Sequence, residues 1–232
     1  MARGKAPGAG VKLYLCSKPM GTPYLPQIFR GTETILRPPA TVTLKSYADD
    51  ICQIASAQSE PVILVGHSMG GVAITQAAED CSKQIGALVY MCAYLPRNGD
   101  SLTTWGQQDP ESLVEMNMIP MADGVIDIKQ EAIHESLYAS CSLEDSAFAQ
   151  SHFRLEPRAP FRHPVTTTAE RWGRIPRYYI ERLRDRAITL KLQQDMQKHS
   201  PCRQTFSIDT DHSPFFAAPE QLASILLQIG SS

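Results

Sequence analysis

Gly66-His67-Ser68-Met69-Gly70 sets a serine between two glycines, directly after the aliphatic run Val62-Ile63-Leu64-Val65. A serine hydroxyl attacks a carbonyl only when a base takes its proton and donors receive the charge that builds on the carbonyl oxygen. The G-x-S-x-G string suits that chemistry. Where a buried strand bends sharply into a helix, side chains flanking the serine collide, so glycines there let Oγ project from the bend. The N–H of Met69 is the expected oxyanion donor, with the dipoles of the following helix aimed the same way. The string by itself also occurs in ordinary turns, so its position between a strand and a helix is what makes Ser68 a candidate nucleophile.

The base is expected late in the chain, after the acid. His212 has that address, in Asp209-Thr210-Asp211-His212-Ser213-Pro214, after a strand-like run ending at Ile208 and before the last helix. The other histidines read as surface or structural: His67 inside the bend, His134 and His152 in the middle of the chain, His163 and His199 in polar surroundings. The acid, which fixes the imidazole tautomer and stabilises the imidazolium, should follow a strand between Ser68 and His212. Asp185, shortly after Tyr178-Tyr179-Ile180, fits. Its alternative is a surface aspartate paired with Arg182, Arg184 or Arg186, a contact of small energetic weight. Asp209 and Asp211, next to His212 in sequence, and Asp195, expected on a helix, remain fallbacks.

These residues need a scaffold of strands and helices. Leu44, Tyr47, Ile51 and Ile54 recur at helical spacing, predicting a helix over 43–57 that closes at Glu60-Pro61. The run at 62–65 reads as a strand buried on both faces of a parallel sheet, residues 70–80 as a helix and 87–91 as a second apolar strand, together a βαβ unit. Beyond Leu95-Pro96 the strand pattern fades for about eighty residues. Residues 97–170 are therefore expected to form a mostly helical insertion over the sheet, with helices over 129–139 and 143–153. Strand signals return at 177–181 and 204–208, and a helix over 219–229 ends the chain.

Bulk properties narrow the function. The 232 residues suit one domain, and 22 basic against 24 acidic residues leave no electrostatic excess for a polyanion such as nucleic acid. No apolar run approaches the roughly 20 residues of a membrane span. Cys16, Cys52, Cys81, Cys92, Cys141 and Cys202 show no CxxC pair or metal-like clustering and read as reduced, structural thiols, with a cytoplasmic location as the default.

Four segments carry a resemblance. They are residues 61–71 around Ser68, Leu88-Val89-Tyr90-Met91-Cys92-Ala93-Tyr94-Leu95-Pro96 with Gly99-Asp100-Ser101-Leu102, Ile175-Pro176-Arg177-Tyr178-Tyr179-Ile180 through Asp185 to Gln193, and Asp211-His212-Ser213-Pro214-Phe215-Phe216 with Pro219. From about Thr43 onward the chain resembles the α/β-hydrolases related to plant methylesterases and hydroxynitrile lyases, with their bacterial esterase relatives. The resemblance implies the α/β-hydrolase fold: one domain over 1–232, a mostly parallel central sheet flanked by helices, and a cap insertion at about 97–170. It implies Ser68, Asp185 and His212 as a triad, Asp185 matching by its spacing to Gln193 and His212. It further implies a pocket between sheet and cap that includes His67 or Met69 and apolar cap residues such as Trp105. Residues 1–40 depart from the group, with no His-Gly oxyanion loop before Gly66, so the N-terminal strands are left open as incomplete. Val11 to Cys16 is the candidate strand before that loop, and Ser17 or Lys18 the candidate second oxyanion donor.

The expected reaction is hydrolysis of a small or medium carboxylic ester through an acyl-enzyme, needing no cofactor and no metal. The expected partner is that small-molecule ester, with a homodimer left open and no nucleic acid or membrane. One alternative is cyanohydrin lyase chemistry, although related lyases carry lysine where this chain has Ser213. The other is a vestigial, ligand-binding hydrolase without a working oxyanion hole. Dehalogenase and epoxide hydrolase relatives use an aspartate nucleophile in place of Ser68.

Overall fold

A computed structural model describes residues 13–16, 41–153 and 155–231. Thr43 opens the first helix, α1 (Leu44–Ser56), with a reciprocal cap: its Oγ1 accepts from the Ser46 amide and the Ser46 hydroxyl accepts from the Thr43 amide. Leu44, Tyr47, Ala48, Ile51 and Ala55 form the buried stripe that the 3.6-residue repeat anticipates. β2 (Val62–Ser68) follows, then α2 (Gly70–Asp80) and β3 (Ile85–Ala93).

With β1 (Leu13–Cys16), β7 (Arg177–Arg182) and β8 (Gln204–Ile208), these strands make a parallel sheet in the order β1-β2-β3-β7-β8. Both faces are covered, which is why β2 and β3 are apolar without alternation. One face packs on α1, α2 and α8 (Leu190–His199), and the other on Leu222, Ile225 and Ile229 of α10 (Pro219–Gly230). The candidate strand at the N-terminus pairs in parallel with β2, from Leu13 opposite Ile63 to Cys16 opposite Gly66. Ser17 and Lys18, the candidate second oxyanion donors, lie outside the described residues.

Between β3 and β7 the chain departs from a mostly helical expectation. It does contribute short helices, α3 (Leu102–Gly106), α4 (Leu113–Asn117), α5 (Ile133–Leu137), α6 (Leu143–Ser151) and α7 (Ala159–Arg162). It also forms an antiparallel sheet of β4 (Met118–Pro120), β5 (Val125–Ile128) and β6 (Glu156–Pro157). Strands of two to four residues are too short to display a two-residue period, and tertiary pairing decides them.

The reading of all six cysteines as reduced is corrected at one pair. Cys52 on α1 and Cys81 at the end of α2 form a disulfide, which staples the two helices that share the main core. Their 29-residue separation hid the pairing in the sequence, and cysteine usage no longer argues for a reducing compartment. Cys92, Cys141 and Cys202 are free. Among the described residues, no helix is long and apolar enough to cross a membrane.

Candidate active site

The bend at Ser68 is built from close backbone approaches. Ser68 ends β2 at φ +54°, the left-handed region that non-glycine residues rarely adopt, and α2 begins two residues later. A Cβ at Gly66 would stand 2.8 Å from the Gly70 carbonyl oxygen, and one at Gly71 only 2.1 Å from that of Tyr94, so neither position admits a side chain without displacing backbone. Opposite the bend, β3 carries a bulge: His67 pairs with Met91 but Ser68 with Ala93, leaving Cys92 as the extra residue at φ +38°. The Tyr94 amide then donates to the Ser68 carbonyl at 3.1 Å, tying the bend to the strand beside it.

His212 and Asp185 meet across 27 residues. Nδ1 of His212 is 2.8 Å from Oδ2 of Asp185, and both side chains are almost wholly buried. Asp185 therefore does not take the surface alternative: Arg184 pairs with Asp209 and Arg186 with Glu135, while Arg182 is itself buried. Oδ1 of Asp185 accepts from the amides of Ala187 (2.7 Å) and Ile188 (3.0 Å), which fixes the carboxylate toward the imidazole. Burial disfavours the His212 imidazolium, but the Asp185 carboxylate outweighs it and pushes His212 up to about 10. Among the described residues the carboxylate bonded to the imidazole is Asp185; Asp211 accepts from the amides of Ser140 and Ser213, Asp209 pairs with Arg184, and Asp195 pairs with Lys191 and Lys198 on the surface of α8.

Ser68 and His212 open into one cavity of about 650 Å³ including its mouth. Met69 and His67 line it too, together with Tyr94, Leu102, Val114, Met118, Phe161 and Phe215. His67 also works behind the site. Its Nε2–H donates to the His212 carbonyl at 2.8 Å, and burial first, then His212 and Arg182, hold its pKa well below the ordinary value. It thus anchors the backbone of His212. Trp105 stands apart from the cavity lining: its indole N–H donates to Asp100 at 3.0 Å and Arg97 lies over its ring. The resemblance implied a place in the pocket wall; on α3 the indole is instead held in the core by its bond to Asp100. Glu115 and Glu156 line the cavity unannounced by any motif, since the segment that carries them has no regular period to mark which side faces inward.

His67, Cys92 and His212 bring three donors of metal-ligand type within 4.8 Å of one another. His212 would bind a metal only by giving up Asp185 or its opening toward Ser68, and burial raises the Cys92 thiol away from the thiolate that zinc takes. The arrangement favours proton transfer at His212 over metal ligation.

Comparison with known proteins agrees with this architecture. A family model described as "Alpha/beta hydrolase family" matches residues 7–225. The chain is 32% identical over 180 residues to the Arabidopsis thaliana protein named "Putative methylesterase 11, chloroplastic", covering 73% of this chain and 46% of that protein. It is 26% identical to a pyrethroid hydrolase of Sphingobium wenxiniae, with 81% of this chain and 70% of that one covered. The chain spans about half the length of the first plant relatives it matches. Among solved structures, a pyrethroid hydrolase from Sphingobium faniae superposes at TM-score 0.73 with 24% identity over 83% of this chain and 79% of that one. Polyneuridine aldehyde esterase gives 0.72 with 20% identity over 84% and 83%. With the family match running over nearly the whole chain and the sheet, bend and flanking helices in agreement, this protein belongs to the alpha/beta hydrolase family.

Proposed function

We propose that the protein hydrolyses carboxylic esters through an acyl-enzyme on Ser68. The observation that carries this reading is a serine at positive φ on a strand-to-helix bend, sharing a cavity with a histidine whose far nitrogen is hydrogen-bonded to a buried aspartate. His212 Nε2 takes the Ser68 proton as Oγ attacks the ester carbonyl, and the Met69 N–H at the start of α2 receives the oxyanion. The imidazolium then protonates the leaving alkoxide. Water, deprotonated by the same nitrogen, attacks the acyl-enzyme and releases the acid. Asp185 holds the tautomer that leaves Nε2 free to accept. The names of the methylesterase and pyrethroid hydrolase relatives support an ester as substrate, and the apolar cavity supports an ester with an apolar part.

The lyase alternative draws no support: neither lysine nor arginine lines the cavity among the described residues, so no cation stands there to hold cyanide. Turnover of p-nitrophenyl acetate and butyrate, with fluorophosphonate labelling, tests the proposal in the wild type and in Ser68→Ala. Turnover and labelling that both disappear in the variant are expected. A folded wild type that shows neither would replace the esterase reading with the vestigial one.

A further inference from the structure

Apart from His212, whose charge the Asp185 carboxylate balances, the charged side chains on the cavity wall are one-sided. Glu115 from α4 and Glu156 from β6 face it, whereas no lysine or arginine does among the described residues. Glu156 is tied back to α1, with Tyr47 Oη donating to its Oε1 at 3.0 Å. Glu115 is differently placed. The only hydrogen bond to its carboxyl among the described residues comes from the Tyr94 hydroxyl, at 3.4 Å from Oε1, and it forms no ion pair with a described residue. Gly106 leaves room for the carboxyl: a Cβ there would come within 2.2 Å of Oε1. A half-buried carboxylate without a counter-charge is penalised, and a ligand cation offsets that penalty. The same cavity is walled by Tyr94, Tyr138, Phe161 and Phe215. Aromatic faces attract a positively charged nitrogen through their quadrupoles, most strongly where water is excluded. Burial raises the pKa of Glu115, with Asp109 adding to it, the behaviour of an acid lacking a cationic neighbour.

We propose that this cavity selects esters that carry an organic cation, with Glu115 as the specificity-determining carboxyl and the surrounding aromatic rings, Tyr94 first, as the rest of the cation site. The proposal rests on the ester-hydrolase reading for its chemistry, but its binding half can be tested without turnover. Butyrylcholine and 3,3-dimethylbutyl butyrate have the same shape and differ in a quaternary nitrogen against a quaternary carbon. Titration calorimetry on Ser68→Ala protein at mildly alkaline pH measures both. Ser68→Ala is expected to bind butyrylcholine about tenfold more tightly than the neutral ester, and Ser68→Ala/Glu115→Gln to lose that preference. Equal affinities, a preference for the neutral ester, no measurable binding of butyrylcholine, or a preference that survives Glu115→Gln would each overturn the proposal. Fluorophosphonate labelling of the wild type separately decides the ester-hydrolase reading, so each can fail alone.

Discussion

Asp185 and His212 behave as one unit because each is buried and each completes the other's hydrogen bonding. In the proposed mechanism neutral imidazole is the base, and the carboxylate raises its pKa to about 10, so kcat/KM is expected to climb with pH well above 6.5. Asp185→Asn should lower kcat by on the order of 10⁴ and move that rising limb to lower pH, which a pH–rate profile on p-nitrophenyl butyrate reads directly. A limb unmoved by the substitution would mean that another group sets it. The same pairing affects stability with a definite sign. A histidine held above its unfolded value of 6.5 adds stability that is fully present below that pH and is lost as pH rises through about 10. Urea midpoints of the wild type should therefore fall relative to Asp185→Asn between neutral pH and about 10.

At the scale of elements, the bend between β2 and α2 depends on contacts that only glycine permits. Gly71→Ala sets a Cβ 2.1 Å from the Tyr94 carbonyl oxygen, and Tyr94 in turn holds the Ser68 carbonyl. The variant is expected to lose about 1 to 3 kcal/mol of stability. Esterase turnover should fall with it, because the strain is relieved by shifting the residue that holds Ser68. The Cys52–Cys81 bridge closes a loop of 29 residues between the paired helices α1 and α2. A chain-entropy account assigns such a loop about 3 to 4 kcal/mol, so Cys52→Ser/Cys81→Ser should unfold at correspondingly lower denaturant, and a reductant should shift the wild type but not the variant. Reductant-insensitive unfolding of the wild type would show that the bridge does not form in solution.

Across the whole molecule, the segment over the sheet is fastened to the loops that carry Asp185 and His212. The Asp109 carboxylate accepts from the amide and hydroxyl of Thr189 at 2.8 and 2.7 Å, the Leu113 amide donates to Arg186, and the Ser112 hydroxyl donates to Ala187. On the other side the Ser140 amide donates to Asp211, next to His212. The pocket roof and the charge pair are thus one mechanical unit, and loss of a roof contact should reach the chemistry. Asp109→Ala removes the carboxylate that accepts from the half-buried Thr189 amide and hydroxyl and is expected to cost about 1 to 3 kcal/mol. It should also lower kcat by loosening the amides of Ala187 and Ile188 that orient Asp185. Lowered stability with unchanged kcat would confine Asp109 to holding the fold.

The sequence by itself determined the parts whose signals are local. A β-branched run ending in G-x-S-x-G specifies a buried strand, a sharp bend and a helix because the pattern and the sterics act over a dozen residues. The stripe of α1 and the loop position of His212 were legible for the same reason, as were strands β7 and β8. Asp185 was only half legible. Its place after a strand was visible, but whether it faced Arg186 or His212 depended on burial that no local pattern records. Tertiary structure decided the rest: the Cys92 bulge, the Cys52–Cys81 pairing, the antiparallel sheet of β4, β5 and β6, the withdrawal of Trp105 to Asp100 and the turning of Glu115 into the cavity. Each is settled by what a residue meets from a distant part of the chain, where packing and hydrogen-bond satisfaction override local propensity.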